Sequence, residues 1–356
     1  MAGGSPSSVA SFNAPLPASP SMVSNNLCCL SSHVAYASAA DVLLTPLKSF
    51  MARKHEPTSL KMTHKVTNTH NNNADTGVRI QGVTTVRIGT DQHLVVLGTD
   101  GVRIFDGKTT TRLEFSMPTP KDNDLFAART RPSEKYADRG AYCSCACSAR
   151  SDDGRTQVVI GTSAGALLIV SVDGTRFSHA NTIVAGEAHA EAVSSLASDA
   201  VAAAAGDPRR EVASCSVDGE VVVWSPRSYH HYEALWRLPN KSSPCASVGV
   251  RGAQLFLAHR DGRLCVYDTV SRELTHEIVA HSRLLSTMAL HPTQPYVATA
   301  AHDTTLAVWR IDNANASCEL SAKWPTGLLT GVTFVDETAT VAVSAYDASE
   351  LRVYSP

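Results

Sequence analysis

Short apolar runs rich in β-branched residues recur along the chain, joined in pairs by tight polar turns. HLVVLGT–DG–VRIFDG (93–107), QVVIGT–SAG–ALLIVSVDG (157–174) and EVASCS–VDG–EVVVWS (211–225) share this design. LFLAHR–DG–RLCVYD (255–268) and YVATAA–HDT–TLAVWR (296–310) repeat it. Asp-Gly between β-rich runs is the strongest short-range hairpin signal a sequence carries. No segment beyond about a dozen residues sustains the 3.6-residue apolar period of a helix. The pattern predicts an almost entirely β chain.

The hairpins repeat in register. Trp224, Tyr267 and Trp309 close successive second strands at intervals of 43 and 42 residues. The turn residues Asp218, Asp261 and Asp303 each precede that aromatic by six positions. Ser214 and Thr299 stand four before their Asp, and His189 and His281 lie upstream in GEAHAEAV and IVAHSRLL. His, Ser/Thr, Asp and Trp at these offsets resemble the WD40 repeat family. The resemblance implies a β-propeller with a hydrogen-bonded structural tetrad in each intact blade: His189, Ser214, Asp218 and Trp224, then His281, Thr299, Asp303 and Trp309. It assigns the tetrads to holding the fold, although Ser, His and Asp together look like a catalytic triad. The middle repeat departs, with Leu257 for the hydroxyl residue and Tyr267 for Trp.

The remaining segments supply four degenerate blades. NLCCL–HVAYAS–DVLLT (26–45), VRIQGV–HLVVLGT–VRIFD (78–106) and YCSCACS–QVVIGT–ALLIVSV (142–172) precede the regular repeats, and TGLLTGVTFVD–ATVAVSAYD–ELRVYS (326–355) follows them. The expectation is one seven-bladed WD40-type β-propeller over 22–356, its last blade completed by an N-terminal strand from within 10–22. Closure removes the sheet edges a linear stack would expose. Residues 1–20, rich in Ser, Pro, Ala and Gly, read as largely disordered. Polar stretches 63–77 and 117–140 read as insertions, and the alanines of 198–210 allow a turn of helix.

Composition narrows the function classes. The 356 residues are 43% hydrophobic and 18% charged with a net charge of −2, so no basic excess points to nucleic acid. No run approaches the ~20 apolar residues of a membrane span. The N-terminus lacks the charged and apolar regions of a secretory signal. Nine cysteines without framework spacing favour a reducing compartment.

Several motifs suggest chemistry and fail on context. Gly161-Thr162-Ser163-Ala164-Gly165 matches a nucleophile elbow, but a strand follows it where that motif needs a helix. His276 and His281 flank an H-E-x-x-x-H run one residue too long for two zinc ligands on one helical face. Cys143, Cys145 and Cys147 alternate, which predicts one shared strand face and small apolar fillers. The histidines of 64–71 and the pair His230-His231 read as solvated surface. Ser5-Pro6, Ser19-Pro20, Thr45-Pro46 and Thr119-Pro120 are minimal acceptors for proline-directed kinases. No metal and no cofactor is expected.

The reading is a non-catalytic scaffold for other proteins, bound through the loop face. Both insertions enter the first strand of a following blade on that face, and Arg129, Arg131, Lys135 and Tyr136 are the candidate contacts. The alternative is a structural subunit of a ciliary, flagellar or vesicle-associated assembly. The family resemblance, extended through NNLCCL, SPCASVGVRGAQLFLAHRDGRLCVYD and AVSAYDASELRVYS, implies a cytoplasmic propeller able to self-associate, with vesicle- or cilium-linked roles.

Overall fold

The computed structural model describes residues 10–16, 20, 22–31, 33–38, 41–47, 60–63, 80–106, 111–116, 141–199, 210–239, 243–325 and 327–355. They form seven four-stranded antiparallel sheets, the blades of one propeller. An N-terminal strand, β1 (Ala10–Pro15), is followed by blade 1: β2 (Cys28–Cys29), β3 (His33–Ser38), β4 (Asp41–Pro46) and β5 (Leu60–Thr63). Blade 2 is β6 (Ile80–Ile88), β7 (Asp91–Gly98), β8 (Gly101–Phe105) and β9 (Thr111–Ser116). Blade 3 is β10 (Cys143–Arg150), β11 (Thr156–Thr162), β12 (Leu167–Asp173) and β13 (Arg176–Ile183). Blade 4 is β14 (Val193–Ser198), β15 (Val212–Ser216), β16 (Val221–Ser228) and β17 (His231–Leu238). Blade 5 is β18 (Cys245–Arg251), β19 (Gln254–His259), β20 (Arg263–Asp268) and β21 (Leu274–Val279). Blade 6 is β22 (Leu285–Leu290), β23 (Tyr296–Ala301), β24 (Thr305–Ile311) and β25 (Ala316–Lys323). Blade 7 is β26 (Leu329–Phe334), β27 (Val341–Ala345) and β28 (Glu350–Ser355), with β1 as its outer strand.

The continuous apolar runs have a geometric cause. The second and third strands of each blade are covered on both faces by neighbouring blades, so Val158–Ile160, Leu167–Val170 and Val221–Val223 are buried without alternation. Seven apolar clusters result, one at each blade–blade interface. Leu97, Ile104 and Ile160 join blades 2 and 3, and Phe256, Leu264 and Val297 join blades 5 and 6. The ring closes where Ala14 and Val353 of blade 7 meet Val34, Tyr36 and Leu43 of blade 1.

The inner strands of blades 2 to 7 share a β-bulge near their start, between positions such as Cys143 and Cys145, Val193 and Ser195, or Leu285 and Thr287. A bulge adds one residue and sharpens the local twist. In three blades the extra residue is a serine that ties its blade to the next. Ser144 Oγ lies 2.6 Å from the Val193 carbonyl, Ser194 Oγ 2.9 Å from that of Cys245, and Ser286 Oγ 2.6 Å from that of Leu329. Arginines tie the opposite end. Arg251 donates to the Gln294, Tyr296 and Ile311 carbonyls of blade 6, and Arg227 of blade 4 pairs with Asp152 of blade 3 at 3.0 Å.

The bulge corrects one expectation. Cys143, Cys145 and Cys147 do not share a face: Cys143 packs between blades 2 and 3, whereas Cys145 and Cys147 pack between blades 3 and 4. The residue inserted at Ser144 shifts the alternation by one position. The 198–210 alanines, most of the 63–77 insertion and all of 117–140 up to residue 140 lie outside the described residues, as do residues 1–9.

Ser286→Ala removes the hydroxyl bond to Leu329 at a nearly inaccessible position. We expect a loss of about 1 kcal/mol in urea unfolding; an unchanged midpoint would show that the serine ties contribute nothing.

Candidate functional site

The tetrad of blade 6 is a hydrogen-bonded relay in which His281 Nδ1 also lies 2.9 Å from the Thr305 hydroxyl. Trp309 Nε1 donates to Thr299 Oγ1 at 3.0 Å, and His281 Nε2 lies 2.9 Å from the same oxygen. His281 Nδ1 lies 3.2 Å from Asp303 Oδ2. The threonine oxygen accepts from the indole and gives its one hydrogen to Nε2, so the neutral ring carries its proton on Nδ1, toward the carboxylate. Burial holds the His281 pKa down, opposed by Asp303. Asp303 also accepts from the Ser282 and Thr305 backbone amides at 2.9 and 3.0 Å, which fixes the turn.

Blade 4 builds the same relay with a different acid. Trp224 Nε1 and His189 Nε2 meet Ser214 Oγ at 2.8 and 2.7 Å. His189 Nδ1 meets Glu220 Oε2 at 3.1 Å, not Asp218. Asp218 instead accepts from the Ser216 hydroxyl and the Glu220 amide. The glutamate directly after the Asp218-Gly219 turn has the extra methylene needed to reach the ring. Arg237 holds its other oxygen at 3.0 Å. In blade 5 Leu257 supplies no hydroxyl, and Tyr267 packs edge-on against Trp236 at 5.8 Å.

The remaining motifs resolve into packing. Ser163 lies in the β11–β12 turn, and its Oγ accepts from the Tyr142 amide at 2.9 Å. Gly165 (φ +85°) is required because a Cβ there would stand 2.4 Å from the His189 carbonyl. A Cβ at Gly161 would meet Cys145 Sγ at 2.6 Å. His276 lies on the strand β21, His230 on an exposed turn and His231 at the exposed start of β17. Burial pushes the Cys143 and Cys147 thiols up to about 12, far from the thiolate form that metal or redox chemistry uses. Among the described residues no cluster of His, Cys, Asp or Glu is arranged to hold a metal. Thr45 is buried in β4, out of a kinase's reach. Arg129, Arg131, Lys135 and Tyr136 lie outside the described residues, as does Thr119.

What the structure brings together is a set of equivalent corners. On the face carrying the β11–β12, β15–β16, β19–β20, β23–β24 and β27–β28 turns, one residue per blade donates its backbone N–H to the segment entering that blade's inner strand. Ser163 bonds Tyr142 (2.9 Å), Val217 bonds Ala192 (2.9 Å) and Arg260 bonds Pro244 (2.8 Å). His302 bonds Leu284 (2.8 Å) and Tyr346 bonds Leu328 (2.8 Å). These five side chains stand on fixed backbone, and two of them, Val217 and Arg260, line a central channel of about 970 Å³ together with inner-strand groups such as Ser144, Ser194, Ser247, Thr287 and Thr333. The sequence signal for the corners is positional, since they precede or begin each turn but share no chemistry.

The family model for WDR54 matches residues 141–356, more than half of the chain. The chain belongs to the WDR54 family. WD repeat-containing protein 54 of Mus musculus is 27% identical over 140 residues, covering 37% of this chain and 41% of the mouse protein. The Homo sapiens protein of the same name is 26% identical over 144 residues, covering 38% and 42%. The matched stretch therefore spans well under half of these WDR54 relatives. A chain in the crystal structure of the mitotic checkpoint complex superposes with a TM-score of 0.68 at 14% identity, covering 100% of this chain and 96% of its own. That likeness carries the propeller fold alone.

Trp309→Phe leaves Thr299 without its indole donor, and we expect a loss of about 1–3 kcal/mol in chemical unfolding; an unchanged midpoint contradicts the relay. A pH dependence follows from the histidines. His33, His189, His259, His281, His291 and His302 are all held below the ordinary imidazole value, burial being the first cause in each. Unfolded, these rings titrate near pH 6.5. Their contribution is complete above that pH and is lost as pH falls from it toward the depressed folded values. The thermal midpoint is expected to fall between pH 7.5 and 5.5, more shallowly in His281→Gln; a midpoint that rises on acidification contradicts this.

Proposed function

We propose that the protein is a non-catalytic scaffold that binds other proteins through the face bearing the corner residues. The observation that carries the reading is the placement of exposed apolar side chains. Of the six large ones among the described residues, Met22, Val184, Val279 and Tyr346 belong to this face. Val184 follows the end of β13, Val279 ends β21, and Tyr346 is a corner residue. Pro20, two residues before Met22, accepts from the Asp347 amide in the same turn as Tyr346. Exposed apolar side chains on rigid backbone are what binding anchors require.

The strand ends add support. Thr63 pairs with Asp41 beside the β3–β4 turn, and Ser116 with Gly101 beside the β7–β8 turn. Thr63 and Ser116, the last described residues before the two polar stretches, therefore lie at the rim of this same face. The free buried thiols of Cys28, Cys143, Cys215 and Cys245 suit a reducing compartment, and we read the location as cytoplasmic. The alternative, a fixed subunit of a ciliary or vesicle-associated assembly, draws on Val270 and Leu274, exposed near the opposite end of blade 5.

A pull-down of tagged full-length protein from its own cells tests the reading, beside Met22→Ser/Tyr346→Ser and a deletion of 117–140. Loss of a Tyr anchor commonly costs ≥2 kcal/mol, so partners of this face are expected to be depleted roughly 30-fold in the double variant. Retention of every partner by both variants would contradict a role for the face.

A further inference from the structure

The corner face is not uniform in charge. On blade 4, Arg237 is held by Glu220, while Glu187 and Glu191 are exposed. Over blades 5 and 6 the balance reverses. Asp261 and Glu277 are both engaged by Arg263, at 2.8 and 2.7 Å, and Asp303 is engaged by His281 and the Ser282 amide. The acids of this sector are thus committed to the sector's own groups. Arg260 and Arg283 are both exposed, and neither forms an ion pair among the described residues.

The two arginines belong to one spot. Gly262, two residues after Arg260, packs so closely on the entry to blade 6 that a Cβ would stand 3.1 Å from the Arg283 carbonyl. The His302 amide bonds Leu284, the residue after Arg283. Burial first, and then the Arg260 charge, hold the His302 pKa below the ordinary imidazole value against the opposing Asp303 carboxylate. Val279, 78% exposed, completes the spot, because the next two amides, Ala280 and His281, both bond Gly262. Two unpaired guanidinium groups on connections locked by backbone bonds, beside a bare valine at the end of β21, form a surface that is cationic and apolar together.

We infer that this sector, built on Arg260, Arg283 and Val279, docks an acidic, extended segment of a partner protein that carries carboxylates with an apolar residue among them. Charge complementarity selects the carboxylates, and guanidinium forks bind them through paired N–H donors. The exposed valine favours a peptide over a free anion, since a free anion leaves that surface in water. The inference rests on the binding-face reading above and gives that face its partner chemistry.

The test is fluorescence-anisotropy titration of the full chain with a fluorescein-labelled Glu-Glu-Leu repeat peptide of about twelve residues. A matched phosphoserine-Leu repeat peptide is titrated in parallel. Wild type is expected to bind the glutamate peptide, more weakly as salt rises. Arg260→Glu/Arg283→Glu is expected to weaken it at least about tenfold, and Arg260→Gln/Arg283→Gln by less. Arg310→Glu, at the opposite end of blade 6, should bind as wild type with the same unfolding midpoint. No binding by wild type, or equal binding by the double variants, overturns the inference. Binding of the phosphoserine peptide alone overturns the carboxylate class. Cellular partners lost in Met22→Ser/Tyr346→Ser but kept in Arg260→Glu/Arg283→Glu would leave the face reading standing and remove this sector from it.

Discussion

A blade with both faces apolar is soluble only between two neighbours, and that single constraint organises the molecule. The seven apolar clusters all sit between blades, so no blade owns a core. A row of such units has two bare ends, and a ring has none. Closure therefore decides whether blades 1 and 7 are stable at all. The last blade brings only three strands from the C-terminal part of the chain, and β1 arrives from the other end to pair Ala10–Pro15 with Glu350–Ser355.

The two faces follow from that ring. Inner-strand bulges set the entry to blades 2 to 7, and three of them carry serines that bridge to the next blade. The histidine relays clamp turns on the opposite side of the same sheets from the Arg227 and Arg251 ties. Rigid turns turn five unlike side chains into a fixed array, and the differences between sectors then become chemistry: acidic over blade 4, cationic over blades 5 and 6, aromatic at blade 7. The proposed scaffold role rests on this last link, where packing rigidity becomes display.

The fold was largely legible because repeats need fixed offsets. Thr299, Asp303 and Trp309 share one hairpin, so the hydroxyl stands four before the Asp and the Trp six after it, as Ser214, Asp218 and Trp224 do in blade 4. Glu220 was hidden by its neighbour: Asp218 occupies the expected position, and only the length of the glutamate side chain lets it take the histidine. The bulges left no residue-type mark, because Gln81, Ser144, Ser194, Ala246, Ser286 and Thr330 all occupy the extra position. That is why strict alternation predicts one shared face for the three cysteines of β10, and the bulge overrides it. The corner residues escaped for a related reason. Their backbone role is constant, whereas Ser163, Val217, Arg260, His302 and Tyr346 have no shared side-chain property to search for.

The most direct test of the account is removal of residues 1–15, with unfolding followed by near-ultraviolet dichroism and hydrogen exchange. The account predicts a lower, broader transition, with exchange accelerating first in β28 and in blade 1 across the closure from it. A truncated protein that unfolds at the full-length midpoint, with unchanged protection in β28, would contradict closure by the N-terminal strand.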